Sequence, residues 1–208
     1  MNTAAYQMPD KNMFLEKVFP VLVEHGLENI TIRELCKETR IVQGTLYYWF
    51  KDKTSIVCEA AQYGLKTVAD EIFEYVFASL NDLRGFFSNC LDEVSKYKKE
   101  LRFVYQLAAS PVYGEKIRAA GKEFNLIYDK YTRRLSATLN CDEQPLKPLV
   151  YLFVSAVLDY VIWEEKEKSQ MQLAYLYDSL SQIVDTAKTE RKGDKYGNFG
   201  VAQTVGQM

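Results

Sequence analysis

Between positions 43 and 49 stand Gln43, Gly44, Thr45, Tyr47, Tyr48 and Trp49, a run dense in groups that recognise rather than react. A glutamine amide and a threonine hydroxyl both donate and accept, which is what reading the polar edge of a base requires. Tyrosine hydroxyls donate to phosphate oxygens while their rings lie along a sugar backbone. Gly44 lacks a Cβ and lets the backbone approach such an edge closely. Lys53, at the start of the next helical pattern, is placed to hold a phosphate together with helix N-terminal N–H groups. Nothing comparable points to catalysis. The only histidine is His25, and the chain shows no nucleophile with a base, no phosphate-cradling glycine loop and no metal-ligand spacing. An enzyme and a bound cofactor are therefore not expected.

The elements that must position this run are short helices. Thr31 with Glu34 three residues on forms a capping box that opens a helix over about 32–39. A turn at 40–42 leads to a second helix over about 43–49. Ile32, Leu35 and Cys36 fall on one face of the first, and Leu46 and Phe50 on one face of the second. With Phe14, Val18, Val21 and Leu22 of a preceding helix (about 11–25, ended by Gly26) and Leu27 just after it, they make a small three-helix core. The exposed remainder is the polar and aromatic run. Two helices joined by a tight turn, the second displaying such residues, read as a helix-turn-helix whose second helix enters the major groove of DNA. Pro20 lies inside the first helix and is expected to kink it or shorten its first half.

These residues resemble the DNA-binding domain of the TetR family of bacterial transcriptional regulators. The resemblance rests on Gly26, on Thr31-Ile32-Arg33-Glu34-Leu35, on Gly44-Thr45-Leu46-Tyr47-Tyr48-Trp49-Phe50 and on Lys53, and covers about residues 12–60. It implies DNA contacts from Thr31, Arg33, Gln43, Gly44, Thr45, Tyr47, Tyr48 and Lys53. It also implies a larger helical body that binds a small ligand and dimerises. The chain departs from the family at its turn, where Arg40 replaces the usual glycine, and at Pro20.

The whole chain sets the frame. It has 208 residues, 48% hydrophobic and 26% charged, with a net charge of −2. No bulk positive field draws it to nucleic acid, so binding must come from a local patch. Within 31–57 five cations (Arg33, Lys37, Arg40, Lys51, Lys53) meet three anions (Glu34, Glu38, Asp52), a weak excess. Cys36, Cys58, Cys90 and Cys141 are too scattered for a metal and read as reduced thiols of a cytoplasmic protein. The most apolar stretch, Leu149–Trp163, falls short of the ~20 residues a membrane span needs, so no membrane partner is expected.

Apolar spacings of three and four run almost throughout, so the fold class is all-α with about nine helices. Residues 1–10 read as a loose tail, 11–52 as the helix-turn-helix domain, 53–190 as the ligand-binding and dimerisation body, and 191–208 as a disordered tail. Helix four runs about 53–78, the fifth to about 97, the sixth to about 109, the seventh about 113–139, the eighth about 146–167 and the ninth about 170–189. The run Glu164-Glu165-Lys166-Glu167 reads as a solvated helix end. Phe86, Cys90, Phe103, Tyr105, Tyr128 and Tyr131, midway along helices five to seven, are the candidate pocket for an apolar or aromatic effector. Wide apolar stripes on the last two helices suggest a homodimer, with Leu149, Phe153, Ala156, Val157, Tyr160, Leu173, Leu176, Tyr177 and Leu180 at the interface. The expected function is a ligand-responsive repressor that binds a palindromic operator on double-stranded DNA and releases it when ligand binds. The alternative is an interaction module that keeps the fold, binds a partner protein and has lost sequence-specific DNA binding.

Overall fold

A computed structural model describes residues 10–27 and 30–197, with side chains described outside 120–125 and 192–197. Nine α-helices account for nearly all of it: α1 (Lys11–His25), α2 (Ile32–Thr39), α3 (Gln43–Trp49), α4 (Lys53–Ala78), α5 (Leu83–Val94), α6 (Lys98–Ala109), α7 (Gly114–Leu139), α8 (Glu143–Trp163) and α9 (Lys166–Gly197). Short 3-10 turns flank α5, and there is no strand among the described residues.

Local chemistry sets the helix starts. Asp10 opens α1 by accepting from the Asn12 N–H at 3.3 Å. The capping box of α2 is complete: the Glu34 N–H donates to Thr31 Oγ1 at 3.2 Å, and the Thr31 N–H donates to Glu34 Oε2 at 2.7 Å. Asp52 opens α4 by accepting from both the N–H and the hydroxyl of Ser55, at 2.7 and 2.8 Å. Asp82 caps α5, and Asp142 caps α8, which starts at Glu143, three residues before the expected 146. Such a side-chain acceptor is worth about 1 kcal/mol at each helix start.

Four helices end at a residue with positive φ. Gly26 closes α1 at φ 73° and ψ 173°, a region open essentially to glycine alone. Arg40, Asn140 and Glu164 end α2, α7 and α8 in the left-handed region, at φ 56°, 53° and 58°.

Pro20 does not shorten α1, which runs through it from Lys11 to His25. The ring sits on the exposed side, so the carbonyl that loses its partner, at exposed Glu16, is open to water. Phe14, Leu15, Val18, Phe19 and Leu22 are all buried on the other side.

Three clusters make the core. The first joins α1, α2 and α3 to the start of α4 and to α6, burying Phe14, Val18, Leu22, Leu35, Leu46, Phe50, Ile56, Ala60, Phe103 and Leu107. The small helical module is therefore sealed by the body rather than closed at residue 52. Gly64 is the contact that permits this: a Cβ there would lie 2.2 Å from the Phe19 ring. The Phe19 ring in turn meets Phe103 edge-on at 6.1 Å.

The second and third clusters hold the body together, and they take up most of the side chains expected at a dimer interface. Phe153, Ala156, Val157 and Tyr160 of α8, and Leu173, Leu176 and Leu180 of α9, are at most 8% exposed and pack inside the same chain. Leu149 and Tyr177 are half-buried. The stripes are wide because each helix packs on two neighbours at once: α8 lies against α7 and α9, and α9 also against α5. What α8 and α9 leave outside is a different set, Tyr151, Leu152, Trp163, Met171 and Tyr175.

The acidic run is split by the α8–α9 turn. Glu164 is tied to Arg102 and lies 3.7 Å from Lys98, while Arg102 Nε donates to the Val161 carbonyl at 2.6 Å. Glu164 is thus a clasp between α6 and the end of α8. Helix α9 continues to Gly197, past the expected end near 189, and residues 198–208 of the expected tail, like residues 1–9, lie outside the described residues. Helix α8 spans 21 residues with mean hydropathy 1.5, so by length and composition it could cross a membrane; its buried side, Leu146 to Val161, is occupied by α7 and α9.

Candidate functional site

Helix α3 is oriented by what it buries. Leu46 is fully buried and Phe50 nearly so; the Phe50 ring lies 5.3 Å from Phe14. Trp49, half-buried, packs on Phe14 at 6.0 Å, so it anchors the helix instead of facing outward. Burying Leu46 and Phe50 stabilises the placement by about 1.5–3 kcal/mol each.

With 46, 49 and 50 inward, the helix repeat sends two i, i+4 rows outward. One carries Gln43 and Tyr47, the other Gly44 and Tyr48. Tyr47 is 50% and Tyr48 66% exposed, and Gln43 and Gly44 are exposed. Nothing lies within 4 Å of where a Gly44 Cβ would be, so that position is open to an approaching surface. Thr45, half-buried, shares its row with Trp49 at the edge of this face. The sequence reading thus brings together Gln43, Gly44, Tyr47 and Tyr48 on one exposed face, with Thr45 at its margin.

Three expected contacts lie outside α3. Thr31 is exposed, but its hydroxyl accepts the α2 capping bond. Arg33 is exposed on α2 and has no ion pair among the described residues. Lys53 departs furthest: its ammonium turns back and donates to the Leu27 carbonyl at 3.2 Å and to the Ile30 carbonyl. The connector between α1 and α2 ends with unpaired carbonyls, and the Lys53 side chain, half-buried beside them, satisfies two. Lys53 therefore staples this connector to the start of α4.

Two residues outside the expected set border the same face. Val42, immediately before α3, is 68% exposed, and Lys51, just after it, is exposed and without an ion pair among the described residues. Arg40 and Lys37 are also exposed and unpaired in that sense. The sequence signalled Val42 only as an apolar residue that fits no helix row. The cation choice between Lys51 and Lys53 depended on side-chain direction, which spacing does not carry.

Electrostatics keep the scaffold in place. Glu34 is held below its ordinary carboxylate range by the Thr31 N–H and hydroxyl, and Asp52 by the Ser55 N–H and hydroxyl. Both carboxylates therefore remain charged at helix N-termini, where the macrodipole favours them.

A second feature lies in the body. A cavity of about 380 Å³ opens between α4, α6, α7 and α8. Of the six expected pocket residues, Tyr105 and Tyr128 line it. Phe86 borders a separate crevice of about 50 Å³. Phe103 turns away from the cavity to meet Phe19. Tyr131 stacks on Phe73 at 3.7 Å, and its hydroxyl donates to Asp70. Cys90 is sealed in the core, where burial pushes its thiol up to about 12. Mid-helix position alone could not separate the cavity wall from the solid core around it. Among the described residues no group of histidine, cysteine, aspartate or glutamate could hold a metal ion.

A short helix packed by its inner face, joined by a tight turn to α2 and displaying two tyrosines, a glutamine and a bare glycine, has the form of a helix-turn-helix. Residues 19–60 match the family model for bacterial regulatory proteins, tetR family. The N-terminal domain is of the tetR family, and the chain is a DNA-binding transcription regulator. No curated protein matches the chain at a significant level. Among solved structures, a candidate tetR family transcription regulator from Shewanella sp. PV-4 is 16% identical, with a TM-score of 0.48, over 86% of this chain and 98% of that one. That likeness is too distant to bear on function.

Proposed function

We propose that this regulator is a ligand-responsive repressor that binds a palindromic operator as a homodimer and leaves it when a small molecule enters the helical body. The observation that carries the reading is the outward face of α3, with Gln43, Gly44, Tyr47 and Tyr48 free on an anchored helix. Gln43 and Gly44 approach base edges, Tyr47 and Tyr48 meet phosphates and thymine methyls, and Thr45, Thr31 and Arg33 lie along the backbone. Lys51 takes the phosphate role first assigned to Lys53.

Dimerisation is drawn here across the outer faces of α8 and α9. Leu152, Met171 and Tyr175 are 48%, 68% and 67% exposed on this antiparallel pair. A two-fold axis through these faces would bury them and pair two copies of α3, which a palindromic operator needs about 34 Å apart, one helical turn of DNA.

The cavity supports the switch by its place in the chain. Helix α4 contributes Ile56, Val57, Ala60 and Ala61 to the core under α3, then Ile72 and Phe73 to the cavity wall. A ligand that favours one arrangement of α4 therefore shifts the helix-turn-helix by differential affinity for the two states.

The test is a salt titration of binding to the DNA upstream of the gene and to random DNA, followed by fluorescence anisotropy. Expected is specific binding at least about 10³-fold tighter than non-specific binding. Equal affinities at every salt concentration would refute sequence recognition.

A further inference from the structure

Resting on the reading that the body's cavity takes the effector, we infer that the effector is an apolar carboxylic acid, its tail in the cavity and its carboxylate on Arg118. The described walls are hydrocarbon: Leu65, Ile72, Val104 and Phe153 are representative, and the only polar side chains among them are Tyr105, Tyr128 and Arg118. No carboxylate, amide or aliphatic hydroxyl lines the cavity among the described residues. A cation buried there would lose its hydration with nothing to replace it. The volume, about 380 Å³, is roughly two to three times the ~150 Å³ that holds one benzene ring. That leaves room for a tail of about ten to fifteen carbons, as a chain or fused rings.

Arg118 lines this cavity and is itself exposed, so it stands at the mouth. Its Nη1 donates to the Ala108 carbonyl at 2.8 Å, which holds the side chain across the α6–α7 junction. Gly114 makes that pose possible: a Cβ there would lie 2.6 Å from Nη1 and 2.7 Å from the same carbonyl. No carboxylate pairs with Arg118 among the described residues, while Arg102 and Arg134 are both paired with glutamates. A guanidinium has five donors in a planar fork matched to a carboxylate, and one of them is engaged here. Tyr105, which also lines the cavity and is 51% exposed, adds a second donor at the rim.

The experiment is calorimetric titration of the full-length chain with decanoate, 1-decanol and decylammonium, each below its aggregation threshold, at pH 7.5. Decanoate should bind most tightly and decylammonium not measurably. Arg118→Gln, at an exposed position, should weaken decanoate about 10-fold while leaving decanol within about two-fold, and Arg118→Lys should recover part of the loss. Ala69→Phe, which fills the cavity from α4, should abolish binding of both. Equal affinity for decanoate and decanol, or no effect of Arg118→Gln, overturns the acid assignment; unchanged binding by Ala69→Phe overturns the site. Operator DNA titrated with and without decanoate separates the two readings. If decanoate binds as described but DNA affinity does not move, the ligand class stands and the effector reading fails. If no probe binds, both fail.

Discussion

Replacing Gly64 by alanine should destabilise this protein even though alanine is the better helix former. In an ordinary helix interior the exchange gains about 0.5–1 kcal/mol, because glycine loses more backbone freedom on folding. At Gly64 the new Cβ would stand 2.2, 2.3 and 2.4 Å from Cε1, Cδ1 and Cγ of Phe19. The clash includes the ring atom nearest the backbone, so a small tilt of the ring does not relieve it. The ring is 6% exposed and has Phe103 edge-on at 6.1 Å. Relief requires α1 to move off α4, and overpacking of this kind costs about 1–3 kcal/mol. The net expectation is a loss of about 1–2 kcal/mol, or a fall in Tm of roughly 2–8 °C for a chain of this size. Thermal unfolding followed by far-UV circular dichroism measures it, with Gly44→Ala as control: nothing lies within 4 Å there, so that exchange should raise Tm slightly. Phe19→Leu combined with Gly64→Ala should be less destabilising than the two single losses summed. A Tm for Gly64→Ala at or above that of the parent would refute the claim that α1 and α4 are in closest contact here.

Further outcomes follow from the same geometry. Tyr48→Ala should weaken operator binding about 10-fold or more with Tm unchanged, read by anisotropy and circular dichroism; full affinity would remove Tyr48 from the interface. Arg40→Gly should stabilise by about 1 kcal/mol in urea unfolding, because a left-handed conformation at φ 56° penalises any Cβ; lower stability would show that the arginine side chain contributes more than the strain costs. Glu34 and Asp52 have folded pKa values below the ordinary carboxylate range, so their contribution is present above that range and disappears as pH falls through the lowered values. Stability should therefore decline on acidification below about pH 4, and Glu34→Gln should flatten the decline. Met171→Glu with Tyr175→Glu should convert a dimer to a folded monomer in sedimentation, since both side chains are two-thirds exposed in one chain; an unchanged dimer would place the interface elsewhere.

Much of this was legible in the sequence. The capping box at Thr31 and Glu34, the stop at Gly26 and the apolar spacing of three and four set the bounds of α1 to α4, because these are local signals read within one or two helix turns. The exposed face of α3 followed by subtraction, once Leu46 and Phe50 were assigned inward. Other matters were not local. Lys51 and Lys53 are both cations two residues apart, and only the position of the Leu27 and Ile30 carbonyls shows that Lys53 is occupied. Gly64 lies 45 residues from Phe19, and no pattern in α4 announces their contact.

The last two helices show the same division most clearly. Their amphipathic stripes were visible, but a stripe says only that a face must be buried, not by what. Packing against α5 and α7 used up Phe153, Leu173 and their neighbours inside one chain, and left Leu152, Met171 and Tyr175 outside. By itself the sequence determined the helical class, the bounds of the first four helices and the exposed face of α3, because hydrogen bonds and periodicity act over a few residues. Only the tertiary structure decided which apolar faces are satisfied internally, which cation is free and where the cavity opens, because those depend on which distant surfaces meet.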